Sequence, residues 1–325
     1  MGGSGNSGQS RYQEGVALVT HNTHQIQHRF VLSLALTSLI LVAEVLGGLW
    51  TGSLALLSDA AHVFLDVLAL GMSYAALRVA SLPANDRHTY GFHRMQVLAA
   101  LVNGVTLLVV ALGIFREAWG RIAHPEPVLV GPMLVVAVVG LVVNLLVALT
   151  LREHDHHDLN VRSAFLHVLG DALASVGVIA AGAIIALTGW TPADPLMSVL
   201  IGLIILVGGG RVLLQSVHIL AEGMPEGLTA TGVIEAMRQV PGVTAVHDLH
   251  VWTVGPGYLA LSAHVVLSDQ TMPQMAGVLE ALKQVLSEKF GIAHTTIQCE
   301  CKDCGQGHAV CWSDPGQVET LEPLA

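Results

Sequence analysis

Long apolar runs dominate the sequence as far as residue 221. Six of them approach the ~20 residues that an α-helix requires to cross the hydrocarbon core of a bilayer. They cover residues 29–51, 53–78, 95–120, 128–151, 163–188 and 196–221. Only 12% of all residues are charged, whereas soluble domains have about 25%. The chain is therefore predicted to be a multi-pass membrane protein with six transmembrane helices in contact with lipid.

Basic residues near the ends of these runs predict the orientation in the membrane, because arginine and lysine are enriched in cytosolic connections. Arginines cluster on one side of the predicted helices: Arg29, Arg78, Arg87, Arg94, Arg152, Arg162 and Arg211. The opposite connections carry Arg121, with Arg116 near a helix end. Both termini are therefore predicted to be cytosolic, and the short loops favour a bacterial plasma (inner) membrane. The net charge of −10 arises largely outside the helices and says nothing about nucleic acid, and no nucleic-acid partner is expected.

The pattern changes after residue 222, where shorter elements replace the long apolar runs. Helical spacing of apolar residues occurs at 229–240 and 273–290. Strand-like segments cover 243–254, 258–267 and 294–300. This order, αββαβ, predicts a small cytosolic α+β domain of about 80 residues, which is enough for a modest core. The predicted fold class is therefore membrane α-helical, with six transmembrane helices followed by an α+β domain.

Four segments are expected from this pattern. Residues 1–28 are predicted to form a flexible cytosolic N-terminal segment with a histidine-rich end, and residues 29–222 the six-helix transmembrane domain. Residues 223–300 are predicted to form the cytosolic C-terminal metal-binding domain. Residues 301–325 contain cysteines, acidic residues and prolines, and this tail is predicted to be partly disordered.

Two of the predicted transmembrane helices carry the same pair of polar residues. His62 is followed by Asp66, and His167 is followed by Asp171. A spacing of four residues puts both side chains on one face of a helix. Two imidazoles and two carboxylates complete the tetrahedral shell that zinc prefers. A single such residue is more often an interhelical hydrogen-bonding group, but the repeated pair predicts an intramembrane metal site.

Imidazole and carboxylate ligands must lose their protons to bind a metal ion. Histidine also takes up a proton near neutral pH. Metal and protons therefore compete for the same four side chains, which is the physical basis for exchanging one for the other across a membrane. Asp59 lies three residues before His62, and we interpret it as the N-cap of its helix. A proton relay or an ion-entry group is the alternative for Asp59.

All four cysteines lie near the C-terminus, and they are Cys299, Cys301, Cys304 and Cys311. A cytosolic location keeps thiols reduced, so metal binding is favoured over a disulfide. Cys301 and Cys304 form a C-x-x-C pair that can supply two thiolates to zinc. Candidates for completing this site are His21, His24, His28, His308 and Cys311. A solvated tail without a bound ion is the alternative.

At its two His-x-x-x-Asp pairs the chain resembles the cation diffusion facilitator family, and in particular the zinc-exporting branch of that family. The resemblance extends from about His24 to Cys304. It rests on the segments 52–66 (GSLALLSDAAHVFLD), 90–94 (YGFHR), 160–171 (NVRSAFLHVLGD), 193–195 (ADP) and 246–252 (VHDLHVW). It implies a homodimer with six transmembrane helices per protomer, a metallochaperone-like cytosolic domain, and proton-driven export of metal by alternating access.

The resemblance also implies metal ligands in the cytosolic domain. Matching the family's motifs places ligands at His247, His264 and Glu300. Gln298 stands where some relatives have a histidine, and this departure favours a single ion or a borrowed ligand. The alternative is that His247 and His264 are ordinary strand histidines.

Two further metal sites are implied by the same resemblance. Relatives bind an interface ion in the loop that here contains His93, and His294 is the candidate partner. Some family members bring an N-terminal histidine segment across the dimer onto a cysteine pair. This favours His21 and His24 as the ligands that complete the cysteine site described above.

The sequence therefore predicts a secondary active transporter, not an enzyme, that exports Zn²⁺ in exchange for protons. Zn²⁺ is also the predicted structural or regulatory ion, and Cd²⁺ or Co²⁺ is the alternative substrate. A membrane-anchored metal sensor is the alternative function, but a sensor needs no ligand pairs at membrane depth. A metallohydrolase is disfavoured, because the chain has no His-Glu-x-x-His motif and four protein ligands leave no position for catalytic water.

Overall fold

The computed structural model describes residues 37–152, 159–268 and 271–300, except for the side chains of residues 150–152 and 159–167. Its apolar helices are α1 (Thr37–Thr51), α2 (Leu54–Ala80), α3 (Arg94–Ala123), α4 (Val130–Arg152), α5 (Leu159–Thr188) and α6 (Ala193–Leu220). Helices α2 to α6 are long and apolar enough to cross a membrane, and the described part of α1 is a shorter apolar helix. Each helix overlaps one of the six predicted runs, so the predicted membrane α-helical fold class is confirmed.

The chain folds as two compact units. Of the described residues, those from Thr37 to Leu70 and from Val105 to Gly210 form the first unit, and those from Gly71 to Gly104 and from Arg211 to Glu300 form the second. In the first unit, helices α2 to α6 share an apolar core. Its fully buried members include Ala55, Leu56, Ala111, Met133 and Val178.

The first turn of α2 is capped by two side chains, one of them from α6. Asp194 is fully buried, and its carboxylate accepts hydrogen bonds from the Leu54 N–H at 2.7 Å and from the Ser53 hydroxyl at 2.5 Å. The Ser53 hydroxyl in turn accepts a hydrogen bond from the Leu56 N–H at 3.2 Å. These acceptors satisfy N–H groups that have no partner within the helix. They fix the point at which α2 begins.

The interpretation of Asp59 as the N-cap of this helix is wrong. Because α2 begins at Leu54, Asp59 lies in the second turn, where backbone N–H groups bond within the helix. Its side chain is 2% exposed and lies inside the first unit. The interpretation failed because Ser53 and the distant Asp194 supply the cap at the start of the apolar run predicted over 53–78.

The second unit contains the C-terminal domain, whose elements follow the predicted order αββαβ. They are α7 (Ala230–Arg238), β1 (Val243–Gly255), β2 (Tyr258–Leu267), α8 (Met272–Phe290) and β3 (His294–Glu300). Strand β1 pairs with β2 in antiparallel fashion, and β2 pairs with β3 in parallel fashion. Strand β2 is therefore the centre of a three-stranded sheet.

Side-chain alternation along β1 and β2 separates an apolar face from a polar face. In the strand register Val246 lies opposite Val265, and His247 lies opposite His264. Val246 and Val265 belong to the buried core that also contains Leu282 of α8. Because successive side chains on a strand point to opposite faces, the two histidines lie on the face away from this core.

Candidate metal centres

Helices α2 and α5 bring three of the predicted intramembrane ligands together in the first unit. His62 Nε2 lies 3.8 Å from Asp66 Oδ2 and 3.8 Å from Asp171 Oδ1. One ligand atom from each of the three residues lies within 4.8 Å of the other two. Asp171 is buried, and His62 and Asp66 are partly buried. An imidazole and two carboxylates at this separation can hold one divalent cation between them.

His167, the fourth predicted ligand, lies on α5 one turn before Asp171, and its side chain lies outside the described residues. The spacing of four residues predicts that it shares a face of α5 with Asp171. A fourth ligand on that face would complete a tetrahedral shell. The assignment of His167 as that ligand stays a prediction.

Other polar side chains are also buried in the same unit, and two of them are carboxyl groups near the candidate site. Glu44 of α1 and Asp59 of α2 are each 2% exposed, and Ser175 of α5 is 1% exposed. The charge of Asp171 acts on both Glu44 and Asp59, so these carboxyl groups belong to the electrostatic environment of the candidate site. Glu44 is not among the site residues predicted from the sequence. The sequence did carry a signal for Glu44, because a carboxyl group inside an apolar run of membrane length indicates a functional residue.

The sheet of the C-terminal domain brings His247, His264 and Glu300 together, one from each strand. His247 Nε2 lies 3.1 Å from Glu300 Oε2, and His264 Nδ1 lies 2.9 Å from Glu300 Oε1. One ligand atom from each residue lies within 4.8 Å of the other two. His247 is buried, and the other two are partly buried. Two imidazoles and a carboxylate with this spacing fit three positions of a zinc site.

The surroundings of Glu300 lower the pKa of its carboxyl group. Burial acts to raise its pKa, but hydrogen bonds from Gln298 and His247 and the charges of His247 and His264 outweigh burial, so the pKa lies below its usual value. The Gln298 amide donates to Glu300 Oε1 at 3.0 Å. Gln298, which departs from the family's pattern, therefore supports the carboxylate form that a metal ligand requires.

A bulge in β1 adds an acidic residue that is not among the residues predicted from the sequence. The strand register shifts between His247 and His250, and Asp248 has a φ of +49°, in the left-handed region. Asp248 Oδ1 lies 3.0 Å from His250 Nε2, and Asp248 Oδ2 lies 3.7 Å from His264 Nε2. A carboxylate near the second ring nitrogen orients a ligating histidine. The alternating pattern of a strand sequence carries no signal for this bulge.

Of the remaining predicted ligands, the structure describes His93 and His294 but not the thiolate site. In the second unit the ring of Tyr258 contacts both His93 and His294, with centroid distances of 5.1 and 6.1 Å. The two histidines therefore contact the same tyrosine ring, and their role as a metal pair stays a prediction. The predicted thiolate site, with Cys301, Cys304, His21 and His24 as its predicted ligands, lies outside the described residues and stays a prediction.

Both parts of the chain match known protein families. Residues 30–221 match the cation efflux transmembrane domain, and residues 225–302 match the cytoplasmic domain of cation efflux proteins. The two matches cover the six apolar helices and the C-terminal domain.

Full-length relatives are similar over most of the chain. Over 278 residues the chain is 42% identical to the metal cation efflux system protein CzcD of Cupriavidus metallidurans, covering 86% of this chain and 88% of that protein. It is 40% identical over 281 residues to the zinc transporter ZitB of Escherichia coli, covering 85% and 88%. It is 37% identical over 293 residues to the cadmium, cobalt and zinc/H(+)-K(+) antiporter of Bacillus subtilis, covering 89% and 94%. The chain thus belongs to the cation diffusion facilitator family of metal cation efflux transporters.

Proposed function

We propose that this protein exports Zn²⁺ in exchange for protons, with His62, Asp66, His167 and Asp171 as the transport ligands. The observation that carries the proposal is the approach of three of these ligand atoms to within 4.8 Å of one another on two apolar helices. Ionisable groups at membrane depth are costly, and they are found there when they carry a function.

The proposed exchange follows from the chemistry of the ligands. The four side chains bind Zn²⁺ only after losing their protons. Two carboxylates balance the two charges of the ion, which reduces the cost of keeping it in a medium of low dielectric constant. Protonation of the same groups from the opposite side of the membrane displaces the ion. Because the groups hold either metal or protons, export of the ion returns protons in the other direction.

The donor set supports zinc as the main substrate. Two imidazoles and two carboxylates suit Zn²⁺ and also accept Cd²⁺ and Co²⁺. One relative is named as a zinc transporter, and another as a cadmium, cobalt and zinc/H(+)-K(+) antiporter. These names support both the choice of metal and the use of protons. Cd²⁺ and Co²⁺ are the alternative substrates.

The cytosolic domain is proposed to hold its own zinc ion. His247, His264 and Glu300 would be the ligands, because their ligand atoms converge and the Glu300 carboxylate form is favoured. A second zinc ion is proposed at Cys301 and Cys304, with ligands from the N-terminal histidines. This ion would cross-link segments that are distant in the sequence and would not take part in transport.

The assembly is proposed to be a homodimer in a bacterial plasma membrane, with both termini in the cytosol. The match to the cytoplasmic domain of cation efflux proteins supports a cytosolic C-terminus. The full-length relatives come from bacteria. The distribution of arginines at the helix ends supports the same orientation.

Zinc uptake into proteoliposomes tests the proposed transport site. Purified protein is reconstituted with a zinc-sensitive dye inside, and a pH gradient is imposed. We expect uptake that collapses with the gradient, and Asp66→Ala or His167→Ala should reduce the rate to that of protein-free liposomes. Asp86→Asn, which removes an exposed carboxylate between α2 and α3, should retain normal uptake. Near-normal uptake by Asp66→Ala would refute the site, and no uptake by the unmodified protein would favour a sensor.

A further inference from the structure

Glu44 is a buried acidic residue that the proposed transport site does not use. It lies on α1, in an apolar helix, and is 2% exposed. Because the side chain is buried and its neighbours in the chain are apolar, water does not stabilise a charge on its carboxyl group. Among the described residues, its Oε2 has no hydrogen-bond partner. A carboxyl group in this position is costly as an anion, and a bound proton removes that cost.

A glycine on α4 makes room for this carboxyl group. A Cβ atom placed on Gly140 would lie 3.0 Å from Glu44 Oε1 and 3.7 Å from Ser175 Oγ. The Glu44 carboxyl therefore occupies space that any larger residue at position 140 would take, close to a hydroxyl of α5. Helices α1, α4 and α5 together enclose the group.

The titratable neighbours of Glu44 are the carboxyl groups of the transport region. Asp59 of α2 and Asp171 of α5 are the charged residues that act on Glu44, and the part of α4 that faces it contributes Gly140. A bound Zn²⁺ is balanced by two carboxylates, Asp66 and Asp171. Glu44 and Asp59 are then additional carboxyl groups without a balancing cation, and a buried charge without a partner is unfavourable.

We propose that Glu44 is a proton-carrying residue of the exchange cycle, separate from the metal ligands. The inference rests on the proposed function. The O–H bond of the Glu44 carboxyl breaks as the metal leaves, and the proton passes the buried polar groups of Asp59 and Ser175 to form a new O–H bond on one of the transport carboxylates that the metal has vacated. Glu44 then regains a proton from water. The proton is thus held on a residue that is not a metal ligand until the metal leaves.

Two transport assays on the same proteoliposomes separate this role from metal binding. Zinc counterflow at equal pH on both sides exchanges metal for metal and needs no net proton movement. Uptake driven by an imposed pH gradient requires net proton movement. Glu44→Gln keeps the shape of the side chain but has no carboxyl proton to release or take up. We expect counterflow within about twofold of normal and gradient-driven uptake lowered about tenfold or more, with a flattened pH profile.

Three further variants sharpen the test. Glu44→Asp should recover part of the gradient-driven uptake, because it restores a carboxyl group. Gly140→Ala should lower gradient-driven uptake more than counterflow, because the added methyl group displaces Glu44 Oε1. Glu117→Gln, a matched control at an exposed glutamate of α3, should leave both assays unchanged.

Two results for Glu44→Gln would contradict the proposed role of Glu44. If Glu44→Gln behaves normally in both assays, Glu44 does not carry the proton. If Glu44→Gln loses counterflow as well, Glu44 is a structural residue or a metal ligand, and the inference is wrong. Failure of the proposed function looks different, because the unmodified protein would then show neither counterflow nor gradient-driven uptake.

Discussion

His264 shows how a single side chain in the cytosolic domain is held by its neighbours. Its Nδ1 lies 2.9 Å from Glu300 on β3, and its Nε2 lies 3.7 Å from Asp248 on the bulge of β1. One ring nitrogen thus faces the candidate metal position and the other faces a carboxylate. His250 contacts the same aspartate but is exposed. The two histidines of one domain are therefore expected to differ in function.

Replacing His264 with alanine should lower the zinc content of the full-length protein by about one ion per protomer, because two remaining ligands hold zinc weakly. His250→Ala is the matched control and should retain the full zinc content. Elemental analysis by mass spectrometry of the purified proteins measures this. An equal loss in both variants would contradict the assignment of His264 as a ligand.

At the scale of whole elements, α2 is positioned by a side chain that lies far away in the sequence. Asp194 at the start of α6 accepts hydrogen bonds from Ser53 and from the first N–H of α2. Helix α2 carries His62 and Asp66, so the cap also fixes where two proposed ligands lie within the first unit. The fold and the candidate transport site therefore depend on the same buried carboxylate.

Asp194→Ala should lower the free energy of unfolding by about 1–3 kcal/mol, since it leaves buried donors without an acceptor. Asp194→Asn should lose less, because the amide oxygen still accepts one hydrogen bond. Unfolding midpoints in detergent report the change. Ser216→Ala is the control, because that hydroxyl bonds to a carbonyl of its own helix. Equal stability of Asp194→Ala and the unmodified protein would exclude the cap as a stabilising contact.

At the scale of the whole molecule, the arginine pattern predicts that the connection between α2 and α3 is cytosolic and that between α3 and α4 is external. Asp86 and His124 are exposed residues in these two connections. All native cysteines lie between Cys299 and Cys311, so a cysteine-free background requires only four substitutions. Single cysteines can then report the side of the membrane on which each connection lies.

A membrane-impermeant maleimide should label His124→Cys in intact cells and Asp86→Cys only after permeabilisation. The physical reason is the retention of basic segments on the cytosolic side during insertion. The cysteine-free protein serves as the background for labelling. The opposite labelling pattern would reverse the orientation and, with it, the proposed direction of transport.

The sequence by itself determined the features that depend on local periodicity. Apolar runs of membrane length predicted six helices, and alternating segments predicted the αββαβ order of the C-terminal domain. The four-residue spacing of His62 and Asp66, repeated at His167 and Asp171, placed each pair on one helix face. Such patterns are readable because the repeat of a helix or strand is set by its own backbone.

Tertiary structure alone decided which distant residues meet. Asp194 caps a helix that begins 140 residues earlier, and this contact corrected the role given to Asp59. Gly140 leaves room for Glu44, and the bulge at Asp248 turns a carboxylate toward His264. These arrangements depend on how helices and strands pack, and no short-range repeat in the sequence encodes a contact between separate elements.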